Sequence, residues 1–288
     1  MTRRWLTGVL FLVGLSGFFV GPAAAAEFEV TVTSLLHGTA ASLVPAGTVF
    51  LGGPGVPPAC TDPQGRPVAG EMLGLWVFAT HNEGFKLFTL GGPASRELAL
   101  LSQTGRPFFL AAALSANPEV GEVQTVPATF PPTTLRGIVL CPGQSLSVMV
   151  DARRGHNYLS LAAMIFPTND GFIAVNGVRL PDGNDVLEVY SPAYDSGSEE
   201  NDENCNHIPN LVFAGFPFPL KPGGVPCTED SDSDPANLSS PDNNPLRAEG
   251  YVHIHPGIRG GFGDLAPVVW NWENPVAKIT IQRVGGER

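Results

Sequence analysis

The sequence predicts an all-β protein, an antiparallel β-sandwich with long loop insertions. Three observations predict it. Apolar residues recur in short stretches of strand length, either alternating with polar ones or in unbroken runs. Turn formers are abundant, with Gly 34 and Pro 28 in 288 residues, roughly twice average usage. Charged residues make up only 15% and hydrophobic ones 43%, which supplies a core but not the salt-bridged surface of long helices.

The elements follow in order. In EFEVTVTSLL, Phe28, Val30 and Val32 alternate with Glu29, Thr31 and Thr33, the pattern of a half-buried strand. Residues 38–70 are rich in Gly, Pro and Ala and read as a long loop. Leu75–Ala79 is apolar and reads as a strand or a buried turn. Pro93–Gln103 is the best helix, with Ser95 able to cap it and Gly105 to end it. Leu135–Leu140 and Ser145–Val150 are strand-like, with Pro142-Gly143 as the turn between them. Leu159–Phe166 is an unbroken apolar run. Pro167-Thr168-Asn169-Asp170-Gly171 then turns the chain into a strand over Phe172–Val178. Tyr251–His255 and Val276–Val284 are the last two strands.

The N-terminus reads as a secretory signal peptide over 1–26. Arg3 and Arg4 precede an uncharged apolar run, Trp5–Val20, and Ala23–Ala26 supply small residues for cleavage. The run is short for a membrane span. The mature chain is expected to begin near Glu27, to lack a transmembrane anchor, and to be secreted or otherwise extracytoplasmic. Residues 27–288 read as a single domain with insertions near 38–75 and 204–247. Four cysteines in an oxidising compartment suggest two disulfides, with three possible pairings. Cys205–Cys227 with Cys60–Cys141 is preferred.

The 27 acids against 16 bases argue against a nucleic-acid partner, which needs a basic surface. Leu180–Leu246 holds 13 acids and one base, Lys221, so the acidity is concentrated in one zone. Asp170 in TNDGF, with Asp195 and Glu199 in YDSGSEEND, places carboxylates in two loops. Two loops at one end of a sandwich can converge on a hard cation such as calcium, which takes six to eight oxygen ligands. Asp230-Ser231-Asp232-Ser233-Asp234 begins like an EF-hand loop. It fails because Pro235 stands where a turn glycine belongs and Pro241 where the last Glu belongs. His253 and His255 lie two apart, on one face of a strand. With His81 they form an alternative set for a transition metal, hence a metal-binding protein or metalloenzyme. Nucleophile-elbow, zincin and phosphate-loop motifs are all missing from the sequence, so no catalytic residue is assigned and the chain reads as non-enzymatic.

EFEVTVTSLLHG, ATHNEGFKLFTLGGPAS, LSLAAMIFPTNDGFIAVNGVRLP, YSPAYDSGSEENDE, EGYVHIHPGIRG and WNWENPVAKITIQRV occur in this order between residues 27 and 284. Together they resemble the spondin domain, of the type at the N-terminus of F-spondin and mindin and in bacterial secreted proteins. The resemblance implies a C2-like antiparallel sandwich of about eight strands with a calcium ion at its loop end. It aligns Asp170 with the Asp of an SPDWF-like loop, and Asp195 and Glu199 with the acids of a YDAGTD-like loop. Gly171 stands where that first loop carries Trp, so no partner-binding role passes to it. The function it implies is a calcium-binding module for extracellular adhesion or surface interaction, with a protein or polysaccharide partner.

Overall fold

The computed structural model describes residues 25–40, 60–61, 67–128, 138–204, 207–208, 220–221, 225–226, 248–260 and 263–285. The first nine strands are β1 (Ala26–Ser34), β2 (Thr39–Ala40), β3 (Cys60–Thr61), β4 (Pro67–Ala69), β5 (Met72–His81), β6 (Val120–Val126), β7 (Val139–Leu140), β8 (Ser145–Ala152) and β9 (Tyr158–Phe166). The rest are β10 (Gly171–Arg179), β11 (Val186–Ser191), β12 (Ala193–Asp195), β13 (Leu220–Lys221), β14 (Val225–Pro226), β15 (His253–Ile254) and β16 (Ala277–Gly285). Three helices accompany them: α1 (Arg96–Thr104), α2 (Pro107–Ser115) and α3 (Pro267–Trp270).

Two antiparallel sheets form the sandwich. The smaller has the order β11-β16-β1-β8. The larger runs β15-β12-β10-β9-β5-β6, with β7 also paired to β5. In β1 the expected alternation holds, since Phe28, Val30 and Val32 are buried and Thr31 and Thr33 are not. Those residues pack with Ile279 and Ile281 of β16 against Trp76, Leu161, Ile173 and Val175 of the larger sheet. Small additional pairings, β2-β4-β3 and β13-β14, lie outside the sandwich.

The larger sheet is covered on both faces. Its far face carries a second cluster in which Val77, Ala79, Ala162 and Phe172 meet Leu98 and Leu101 of α1 and Leu110 and Leu114 of α2. Every residue of β5 is buried and all but the first of β9. An unbroken apolar run is what a strand between two covers requires. Leu75–Ala79 is accordingly the middle of a ten-residue strand rather than a turn.

Helix α1 has the predicted caps. Ser95 Oγ accepts from Leu98 N at 3.1 Å, and Gly105, at φ 64°, donates its N–H to Leu101 O. Helix α2 was not anticipated. Its sequence, PFFLAAALS, has no polar stripe, so the usual amphipathic signal is missing even though Pro107, Leu110 and Leu114 make the buried face. The strand-like segments around Pro142-Gly143 do not form a hairpin. β7 joins the larger sheet and β8 the smaller, and the turn between them carries the chain across the sandwich. The last short strand is His253–Ile254, narrower than the expected Tyr251–His255.

Cys60 and Cys141 form a disulfide between the β2-β4-β3 pairing and the end of β7. That bond fits an oxidising compartment. Cys205 and Cys227 lie outside the described residues, as do Asp230–Asp234 and all but the last two residues of the signal segment. Among the described residues no helix is long and apolar enough to cross a membrane.

Glu71, just before β5, is fully buried, and neither carboxyl oxygen has a hydrogen-bond partner. Burial pushes its carboxyl from 4.5 up to about 8. The folded state therefore holds a proton that the unfolded chain has released, and stability falls as pH rises through that window. The loss is on the order of a few kcal/mol. Glu71→Gln keeps the shape and has no such proton. Its melting temperature, followed from about pH 5 to about pH 8, is expected to fall less than that of the parent.

Candidate metal centre

Three strands of the larger sheet bring their chemistry to one end. In the antiparallel pairing of β10 with β12, Gly171 lies opposite Asp195. In the pairing of β12 with β15, Asp195 lies opposite His253. Asp195 and His253 are thus directly opposed, while Asp170, which immediately precedes β10, lies one residue out of that row and accepts from Ser196 N through its backbone carbonyl at 3.3 Å. Directly opposed residues in such ladders have side chains within reach of each other.

The loop over 196–199 closes on Asp170. Asp170 Oδ2 accepts from Ser196 Oγ at 2.8 Å, Ser198 N at 2.7 Å, Ser198 Oγ at 3.1 Å and Glu199 N at 3.1 Å. Its other oxygen, Oδ1, is buried and takes no hydrogen bond. Asp195 Oδ1 accepts from Gly197 N at 2.7 Å, and Oδ2 from Asn201 Nδ2 at 2.5 Å. Asp170 and Asp195 are both fully buried, and Glu199 nearly so. Among the described residues no lysine or arginine forms an ion pair with either aspartate.

Burial raises the Asp170 carboxyl above its ordinary range, and the hydrogen bonds from Ser196, Ser198 and Glu199 oppose this. Asp195 is pushed up to about 8, by burial first and then by the charge of Asp170. Asn201 opposes that rise and Glu249 adds to it. Two like charges held together out of water favour a cation or a proton between them.

The neighbouring acids are engaged differently. Asp202 accepts from Asn169 Nδ2 at 3.0 Å and pairs with His207 Nδ1 at 2.5 Å. The Glu203 carboxylate takes the N–H groups of Arg259 and Gly260. These contacts tie the 201–204 stretch to the 169 turn on one side and to the 256–260 loop on the other.

The structure also brings in a residue that sequence reasoning passed over. Asp195, Glu249 and His253 each offer a ligand atom, and these atoms lie within 4.8 Å of one another. This carboxylate–imidazole group is a candidate metal-binding set. Glu249 gave little signal, since it stands alone just past the acidic zone that ends at Leu246. Its distance of four from His253 has no meaning on an extended chain.

The other histidines sit elsewhere. His255 is buried against Trp272, with Nδ1 accepting from Gly257 N at 3.0 Å. Burial, with His253 and Arg259 nearby, lowers it to about 3. His81 is buried between Ser160 Oγ at 2.9 Å and Asn82 O at 2.7 Å. Neither belongs to the group around Asp195.

Gly197 shapes the loop. Its φ is 69°, and a Cβ there would lie 2.4 Å from Tyr251 O and 2.6 Å from Tyr251 N. Gly197 O also accepts from Gly250 N at 2.8 Å. Gly197→Ala must move backbone on both sides of the site. The expected result is a loss of a few kcal/mol, about 1–3 kcal/mol from the strained dihedral alone, read as a lowered melting temperature.

Residues 63–198 match the family model described as Spondin_N. This match, over 136 of the 288 residues, supports a spondin-domain protein. The matched stretch contains Asp170 and Asp195 and stops one residue short of Glu199. Glu249 and His253 lie beyond it, as do β1 and β16. No curated protein matches the chain.

Proposed function

We propose that this spondin-domain protein is a secreted, non-enzymatic module that binds calcium through Asp170, Asp195 and Glu199 and presents its loop end to an extracellular protein or polysaccharide. One observation carries the calcium reading: Asp170 and Asp195 are both fully buried, and Asp170 Oδ1 is buried and accepts no hydrogen bond. A buried carboxylate oxygen left without a partner costs free energy, and a hard cation with oxygen ligands supplies what is missing. Glu199 ends the loop that wraps Asp170, its backbone N–H donating to Asp170 Oδ2, and is the third ligand of this proposal.

The role of the ion is structural. It relieves the repulsion between Asp170 and Asp195 and fixes the 167–170 and 196–204 loops as one surface. Secretion fits the Cys60–Cys141 disulfide and the leader-like N-terminus. Adhesion is the role the family resemblance implies, and the absence of catalytic motifs agrees with it.

Thermal melts of the mature protein in EDTA and in excess calcium test this. Calcium at about a hundred times its dissociation constant adds roughly 2.7 kcal/mol, or about 5–10 °C for a domain of this size. Asp170→Asn is expected to melt higher than the parent in EDTA, because a buried like charge is gone, and to lose the calcium increment. A variant that keeps the full increment overturns the assignment.

A further inference from the structure

We propose that Asp195, Glu249 and His253 hold a second divalent cation of the borderline, zinc-like class, beside the calcium loop and open to an adjoining cleft. This goes beyond the calcium reading and shares only Asp195 with it. The first support is the donor set. Two carboxylates and an imidazole lie within 4.8 Å of one another. Calcium selects oxygen ligands, whereas imidazole suits zinc, copper, iron and nickel.

The second support is hydrogen bonding. Glu249 Oε2 is buried and takes no hydrogen bond, and Oε1 has only a long contact of 3.4 Å with Asn201 Nδ2. His253 Nδ1 stands 3.7 Å from Asp195 Oδ1, too far for a hydrogen bond. Its contact with Tyr251 O, at 3.2 Å, is at the upper edge of the range. The three side chains converge without satisfying one another. That is the arrangement expected of ligands around an ion, not of a self-contained polar network.

The third support is access. A cleft of about 360 Å³ borders the group, with Asn201, Glu203, Glu249, His253 and Arg259 in its wall. Asp195 closes the buried side and His253 borders the cleft, so three protein ligands would leave positions for water or an outside donor. Three ligands plus an open position is the pattern of zinc sites that exchange ligands.

Metal-stripped mature protein tests the proposal. It is melted with zinc alone, with calcium alone and with both, in parent, His253→Ala, Glu249→Gln and Asp170→Asn forms. Zinc is expected to raise the melting temperature of the parent and to add to the calcium increment. His253→Ala and Glu249→Gln should lose at least about tenfold in zinc affinity, a loss that even outer-shell changes produce, and keep their response to calcium. That retained response shows that they fold. Asp170→Asn should lose the calcium response and keep the zinc response. Cobalt(II) adds a spectroscopic readout, since visible bands of a bound ion should appear in the parent and vanish in His253→Ala. No zinc response in the parent, or one that His253→Ala and Glu249→Gln both keep, overturns the proposal. Zinc that merely displaces calcium, with both lost in Asp170→Asn, also overturns it and leaves the calcium reading standing.

Discussion

One carboxylate oxygen organises the loop end of the larger sheet. Asp170 Oδ2 gathers Ser196 Oγ, both the N and Oγ of Ser198, and Glu199 N. The loop after β12 therefore has little freedom to swing away, and Asp195 is held buried beside a charge of its own sign. Burial raises the carboxyls of both aspartates, the hydrogen bonds to Asp170 oppose its rise, and Asn201 is set against Asp195. The pairing of β12 with β15 then sets His253 beside them. Donating groups crowd one oxygen of Asp170 and leave the other bare. Such asymmetry is uncommon for a carboxylate whose only task is to tie down a loop.

The helical cover explains why Asp170 and Ser196 are buried. A two-layer sandwich leaves the outer face of each sheet to solvent, but here α1 and α2 lie on the outer face of the larger one. Ser102 of α1 hydrogen-bonds Ser196, and Gln103 reaches Ser198. The same helix that buries Leu98 and Leu101 thus buttresses the loop that grips Asp170. Leu98 and Ser102, four residues apart, share one face of this nine-residue helix, so packing and site are built side by side.

Much of this was legible in the residues. The alternation in β1, the apolar run of β9, the turn before β10 and the caps of α1 are local signals, each set by neighbours in sequence. Asp170 and Asp195 stood out because they sit in turn-rich loops next to strong strands, and the structure does bring those two together. What stayed hidden lacks a local pattern or depends on distant partners. α2 buries Pro107, Leu110 and Leu114, but its outer side carries Phe109, Ala112 and Ala113 instead of charged residues, so no amphipathic pattern marks it. Glu249 becomes a ligand candidate only through the β12–β15 pairing, about fifty residues away in sequence from Asp195. His253 and His255 look equivalent as a pair, yet one borders a cleft and the other is sealed against Trp272. No pattern of neighbouring residues distinguishes them.

The pairing of β1 with β16 bears on how the module carries load. Glu27 lies opposite Gly285, and Ser34 opposite Ala277. The two strands run antiparallel at the centre of the smaller sheet, so Ala26 and Gly285 emerge at the same end. Tension applied between them peels the ladder open one hydrogen bond after another, as a zip opens, instead of shearing all its bonds at once. That geometry yields at low force. A pull that enters through the loop end of the larger sheet instead meets strands clamped between two layers.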